Sequence, residues 1–283
     1  MIAMARRERL SKAIQEPVST ARTRIWSSLG LPLATLWWRE LVRFYRQRSR
    51  VAAAIGTPLV FWLLIGSGFG DSFRATGPIA SAPVTSLEYF FPGTILLVVM
   101  FTSIFSTMSV IEDRREGFLL SVLVAPISRA ALVGGMILGG ATLSLLQGLP
   151  FICLAPLVGI PMGVREAVEA TLVLGVISCA MTALGFYFAW RLDSVQGFHG
   201  IMNLVMLPMW LLSGALFPSS GSHPWVGWIM RLNPLGYGLS ALRQALYGEP
   251  AAGGPTLAVS VAVIAGFGLL AALAGLQQVR RTA

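Results

Sequence analysis

The chain has 283 residues, 55% of them hydrophobic and only 12% charged, with a formal net charge of +9. A soluble domain carries about 25% charged residues to cover its surface, so most of this surface faces lipid and not water. So apolar a chain has no extended polar face to offer phosphates, which argues against nucleic acid as a partner, and no Cys/His cluster has metal-ligand spacing.

Residues 1–30 are basic but hold no apolar core before a cleavage site, so they read as a cytoplasmic tail and not a signal peptide. Residues 33–50 follow as an amphipathic helix. Leu33, Leu36, Trp37, Leu41 and Phe44 recur at helical spacing, with Trp38 beside them, and Arg39, Arg43, Arg46 and Arg50 form a neighbouring basic stripe. Glu40 and Arg48 interrupt the apolar face. Such a helix is expected in the cytoplasmic interface with its arginines among anionic headgroups, as a plain anchor or as a lever on the first span.

Six apolar stretches are then long enough to cross a bilayer, for which about 20 residues suffice. They are residues 51–70, 89–111, 130–157, 170–190, 198–217 and 256–276. The third contains Pro150 and Pro156, which predicts a tilt or a break near its outer end. Residues 224–247 fail as a seventh span: Arg231, Asn233, Pro234 and Arg243 cut the apolar run, and backbone freed at Pro234 would go unsatisfied in lipid. They are expected at a membrane face, or dipping inward under cover of protein. With the N-terminus inside, seventeen of the 21 lysines and arginines fall on the inner side, and only Arg74, Arg165, Arg231 and Arg243 on the outer. The fold expected is an all-α polytopic protein of the cell membrane with both termini cytoplasmic.

Between the second and third spans lies Glu112-Asp113-Arg114-Arg115-Glu116-Gly117-Phe118, a dense charged run in a chain this poor in charge. Its mixed sign gives almost no net field, so docking into a protein cleft suits it better than attraction to lipid. In the fifth span Met202, Met206 and Met209 share a face that is either packing or an adaptable lining for apolar cargo. Gly135 and Gly139 in the third span form a GxxxG pair that implies a close helix contact, within the subunit or between subunits. Cys153 and Cys179 lie in apolar stretches and read as small packing residues. Mid-membrane carboxylates are missing, which disfavours an ion-coupled carrier. The only lysine, Lys12, is not in a G-x-x-x-x-G-K-[ST] loop, and no catalytic constellation is present, so the chain is not expected to be an enzyme.

Four stretches resemble the membrane subunits of ABC-2 type exporters, including drug-resistance and lipo-oligosaccharide permeases. They are the basic helix from Trp38-Arg39-Glu40 to Arg50, the Glu112–Gly117 run with Ala125-Pro126-Ile127-Ser128-Arg129 after it, Leu212-Ser213-Gly214-Ala215-Leu216-Phe217-Pro218, and Asn233-Pro234-Leu235-Gly236-Tyr237 with Arg243 and Gln244. Arg115 stands where the family has a lysine, and Phe118 where it has a threonine. The resemblance covers most of residues 31–283. It implies that residues 112–118 seat in a separate nucleotide-binding subunit, which holds ATP and Mg, while this chain binds no cofactor. It also implies that Phe217, Pro218, Asn233, Pro234, Tyr237 and Arg243 belong to short outer helices capping the path, and that the subunit forms a homodimer or pairs with a related permease. The function implied is ATP-driven export of an amphipathic small molecule or lipid-like compound. The alternatives are export of a glycan or lipo-oligosaccharide and, in another class, an ATPase-independent channel or membrane scaffold.

Overall fold

The computed structural model of the chain describes residues 30–69, 85–125, 127–216, 223–248 and 254–281. The N-terminal tail, Arg74, Pro126, Phe217 and Pro218 lie outside the described residues. In chain order the helices are α1 (Gly30–Arg46), α2 (Arg48–Phe69), α3 (Ser86–Arg115), α4 (Phe118–Val124) and α5 (Arg129–Leu154). They continue as α6 (Val164–Arg191), α7 (Val195–Trp210), α8 (Pro224–Leu232), α9 (Pro234–Tyr247) and α10 (Leu257–Arg281). No strand occurs among the described residues.

Six of these helices, α2, α3, α5, α6, α7 and α10, are long and apolar enough to cross a membrane. An even number of crossings returns the chain to the side on which it began. The helices outrun the apolar stretches because polar flanks continue them. Arg165 and Glu169, 2.8 Å apart across one turn, extend α6 back to Val164. At the C-terminal end of α5 the helix tightens into a 3-10 turn, Ala155–Val158, with Pro156 in its first turn, whereas Pro150 stays inside the helix. After α7 comes a wide turn, Leu211–Ala215, where Gly214 takes φ 91°, a left-handed conformation that only glycine adopts at little cost.

Helix α3 is the hub, packing on α2, α5, α6 and α7. Its Thr102 and Ser103 meet Gln147, Ser144 and Thr182 in a buried polar layer, with Ser103 Oγ 3.1 Å from Ser144 Oγ. Since lipid is as apolar as leucine, such contacts and close backbone approach hold spans together where hydrophobicity alone does not. Helix α10 is peripheral, packed on α6, α9 and α5.

Helix α1 differs from expectation in two ways. It ends at Arg46, and after Gln47 the first span's own helix begins, so Arg48 and Arg50 belong to α2. Its buried stripe is Pro32, Leu36, Glu40 and Phe44, and it lies along α5. The Gly135/Gly139 pair makes that approach possible. A methyl on Gly135 would sit 2.9 Å from the Leu36 Cβ, and one on Gly139 2.8 Å from the Glu40 Cβ. The GxxxG contact is therefore made within the subunit.

Candidate coupling surface and outer cap

The charged run at the C-terminal end of α3 is sorted by sign. Its first two acids turn toward α1 and the start of α2: Asp113 accepts from both Arg39 and Arg43, and Glu112 from Arg43 at 2.9 Å and from Arg50. Asp113 is only 1% exposed. Its bases turn toward the inner end of α6. The Arg114 guanidinium donates to the Trp190 carbonyl at 2.6 Å and to the Leu192 carbonyl, and pairs with Asp193 at 2.9 Å. Arg115 Nε donates to the Asp193 carbonyl at 3.0 Å. Cations at a helix C-terminus satisfy carbonyls that the helix leaves without partners.

Inside this clamp sits a third carboxylate. Glu40 accepts from Ser109 Oγ at 2.7 Å and from Arg39 at 2.9 Å. Burial pushes its pKa above the usual carboxylate range, against the pull of Ser109 and Arg39. The Arg39 guanidinium also lies 3.9 Å over the Phe118 ring, which ties α4 to the same node. Trp37 Nε1 donates to Thr142 Oγ1 on α5 at 3.0 Å, whereas Trp38 and Arg46 are exposed.

What remains open to a partner is the turn itself. Gly117, at φ 77°, reverses the chain between α3 and α4. Beside it Glu116 is exposed, with Arg43 no closer than 4.0 Å. Arg115 is exposed as well. On α4 Leu119 is buried while Leu120 and Val124, one turn apart, are 64% and 88% exposed. Sequence reading missed this apolar pair, although its spacing within Phe118–Val124 was the available signal.

On the opposite side, α8 and α9 meet at Asn233. Its side chain accepts from Leu235 N at 3.0 Å, capping α9, and donates to the Met209 carbonyl at 2.6 Å, where α7 runs into its wide turn. Pro234 occupies the first turn of α9, where a missing N–H is harmless. Arg243 donates to the Gly214 carbonyl at 3.0 Å and lies 4.8 Å over the Tyr89 ring. Trp210 Nε1 donates to the Gly93 carbonyl at 2.7 Å. Tyr247 donates to the Glu88 carbonyl at 2.8 Å. Tyr237 is half-buried. Asn233, Pro234 and Arg243 thus come together around the broken end of α7, and α9 is covered by α6 and α10.

The methionine face of α7 points inward. Met202 and Met206 have no exposed surface and pack in the core, while Met209 is half-buried. Of the two readings of this face, packing describes Met202 and Met206 in this conformation. The opposite stripe, Gln196, Gly200, Asn203 and Leu207, is exposed. Half-buried Phe101 and Phe105 of α3 stack at 6.2 Å, with His199 5.8 Å from Phe105. Among the described residues no cluster of three or more His, Cys, Asp or Glu is arranged to hold a metal.

Comparison with known proteins covers both surfaces. Over residues 32–247 the chain matches the family described as ABC-2 type transporter. It is 27% identical over 72% of its length to ycf38 of Porphyra purpurea, a candidate transport permease, of which the match covers 70%. The daunorubicin resistance ABC transporter permease protein DrrB1 of Streptomyces coeruleorubidus is 21% identical over 81% of each chain.

Proposed function

Because the chain belongs to the ABC-2 type transporter family, it is the transmembrane subunit of an ABC transporter, and we propose that it exports an amphipathic, drug-like or lipid-like compound. The family implies an ATPase partner. On this reading ATP and Mg are held by that partner, since this sequence carries no P-loop. The resemblance to a daunorubicin resistance permease supports an amphipathic cargo. The charge bias supports an N-terminus and C-terminus on the cytoplasmic face of the cell membrane.

The observation that carries the reading is the exposed patch formed by Glu116, Leu120 and Val124 beside the charge clamp. Two bare aliphatic side chains on a short helix and a carboxylate at the turn before it form a plug for a protein cleft. The ATPase seats on this patch. Its movement on binding ATP passes through α4, Arg39 and Asp113 into α1 and the inner end of α3.

Two copies of the chain, or this chain and a related permease, enclose the path between their α2, α3 and α7 faces. Asn203 supports this arrangement, because a bare amide in mid-span is costly against lipid and suits a path or a partner. Met209 stands at the outer end of that path. The cap of Asn233, Pro234, Tyr237 and Arg243 closes it, and Phe217 and Pro218 follow the wide turn Leu211–Ala215 in sequence.

The test is co-purification from native membranes. Leu120→Arg/Val124→Arg should lose the ATPase and transport while melting like the wild type. Retention of the ATPase by that variant overturns the docking role, and the absence of any P-loop protein from the wild-type complex overturns the transporter reading as a whole.

A further inference from the structure

On the outside of the bundle α5, α6 and α10 leave an open groove of about 680 Å³ between them. It is lined almost wholly by apolar side chains, from Ala130 and Leu276 at the inner end to Leu145 and Leu172 further out. Small residues such as Gly175, Ala180 and Gly268 form its floor, and Leu269 and Leu273, both more than half exposed, form a rim. From Ala130 to Leu145 the α5 wall is about 22 Å long, at about 1.5 Å per residue. One leaflet of a hydrocarbon core about 30 Å thick is shorter than this. The groove lies in spans, so what fills it is lipid or another membrane protein, and it has the volume of a small-molecule site, about 300–1,000 Å³.

The inner mouth identifies the occupant. Arg129 precedes Val133 and Ile137 on the lining face of α5 by one and two turns. Arg280 follows Leu276 and Leu273 on the lining face of α10 in the same way. Both groove walls therefore end in an arginine at the same membrane face. Among the described residues neither has an ion-pair partner, although Arg39, Arg43, Arg50 and Arg114 all do. Arg129 also stands at the N-terminus of a 26-residue helix, where an anion is favoured and a lone cation is not.

We propose that this groove is a binding site for one anionic phospholipid, with an acyl chain along α5, α6 and α10 and its phosphate between Arg129 and Arg280. The lipid belongs to the leaflet on the side of the chain's two ends. This inference needs the chain to span a membrane but is independent of cargo and of the direction of transport.

The test uses the full chain purified in detergent and incubated with phosphatidylglycerol or phosphatidylcholine, then read by native mass spectrometry. One phosphatidylglycerol per protomer is expected, preferred over phosphatidylcholine on the order of thirtyfold from the pull of two basic residues on an anionic headgroup. Arg129→Gln/Arg280→Gln should bring that ratio close to one. Gly175→Leu should reduce retention of both lipids, because a Cβ at Gly175 meets nothing within 4 Å and the larger side chain grows into free space. A second readout works without that variant. Cys179 lines the groove, so in a Cys153→Ser background phosphatidylglycerol should slow its maleimide labelling, and fail to do so in the double arginine variant. Equal retention of the two lipids by the wild type overturns the headgroup site. Ready formation of a Cys179–Cys179 disulfide between copies assigns the groove to a second subunit and overturns the lipid.

Discussion

Replacing Asp113 by asparagine separates the two roles that the charged run could play. The substitution keeps the size of the side chain and removes the charge shared by Arg39 and Arg43. Taking one partner from a buried ion pair costs about 3–5 kcal/mol when the other is left fully buried. Here the arginine side chains keep 29% and 22% exposure, and each retains a second carboxylate at 2.9 Å, Glu40 for Arg39 and Glu112 for Arg43. The expected loss is therefore smaller, about 2 kcal/mol, read as a fall of about 4–8 °C in Tm. Tryptophan fluorescence melts in detergent measure it, and a double-mutant cycle with Arg43→Gln should return a coupling of about 1–2 kcal/mol. Glu116→Gln is the control: its exposed side chain should leave Tm unchanged while weakening transport. If Asp113→Asn melts like the wild type yet abolishes ATPase stimulation, Asp113 faces the partner and the clamp reasoning fails.

Gly139→Leu should destabilise the subunit by about 1–3 kcal/mol as an overpacked contact, since even its first carbon would lie 2.8 Å from the Glu40 Cβ and 3.4 Å from the Trp37 carbonyl. An unchanged melt would show that α1 does not seat there. For Glu40, burial raises the folded pKa above its ordinary value of 4.5, so the native state holds the proton more tightly than the unfolded chain. The resulting loss of stability is absent well below the ordinary value and grows as pH rises through the folded one. Glu40→Gln removes that slope. The variant's Tm minus that of the wild type should rise between pH 4 and pH 8, and a flat or falling difference contradicts the assignment. Arg243→Gln should loosen the outer cap by removing the hydrogen bond to the Gly214 carbonyl and the contact with the Tyr89 ring. Faster labelling of a cysteine introduced at Tyr237 reads that opening, and an unchanged rate argues against it.

The six spans and the broken segment around Pro234 were legible because lipid imposes length and continuity on a sequence directly. The close approach at Gly135 and Gly139 was legible too, though not which helix makes it. Periodicity divides a helix into faces without saying what covers each one. On that account the Met202 and Met206 face belongs to the core while Asn203 points outward. The charged run was read by its mixed sign as facing a partner. Asp113 instead pairs with residues 70 and 74 positions away in the chain, a separation that no local pattern encodes. Glu40 seemed to spoil an apolar stripe. It is buried at the centre of that stripe because Ser109 and Arg39 satisfy it there.

The seating of α1 on α5 also fixes an order of events during synthesis. Leu36 leaves the ribosome 99 residues before Gly135, the glycine it packs against. At about 5–20 residues per second that interval lasts roughly 5–20 s. Until α5 follows, α1 has only the bilayer surface to cover its apolar face, and until Glu112 and Asp113 follow, only anionic headgroups for its arginines. The surface-bound helix that amphipathicity predicts is thus what this segment is expected to form while nascent. The clamp is what it becomes once Asp113 and then α5 have arrived.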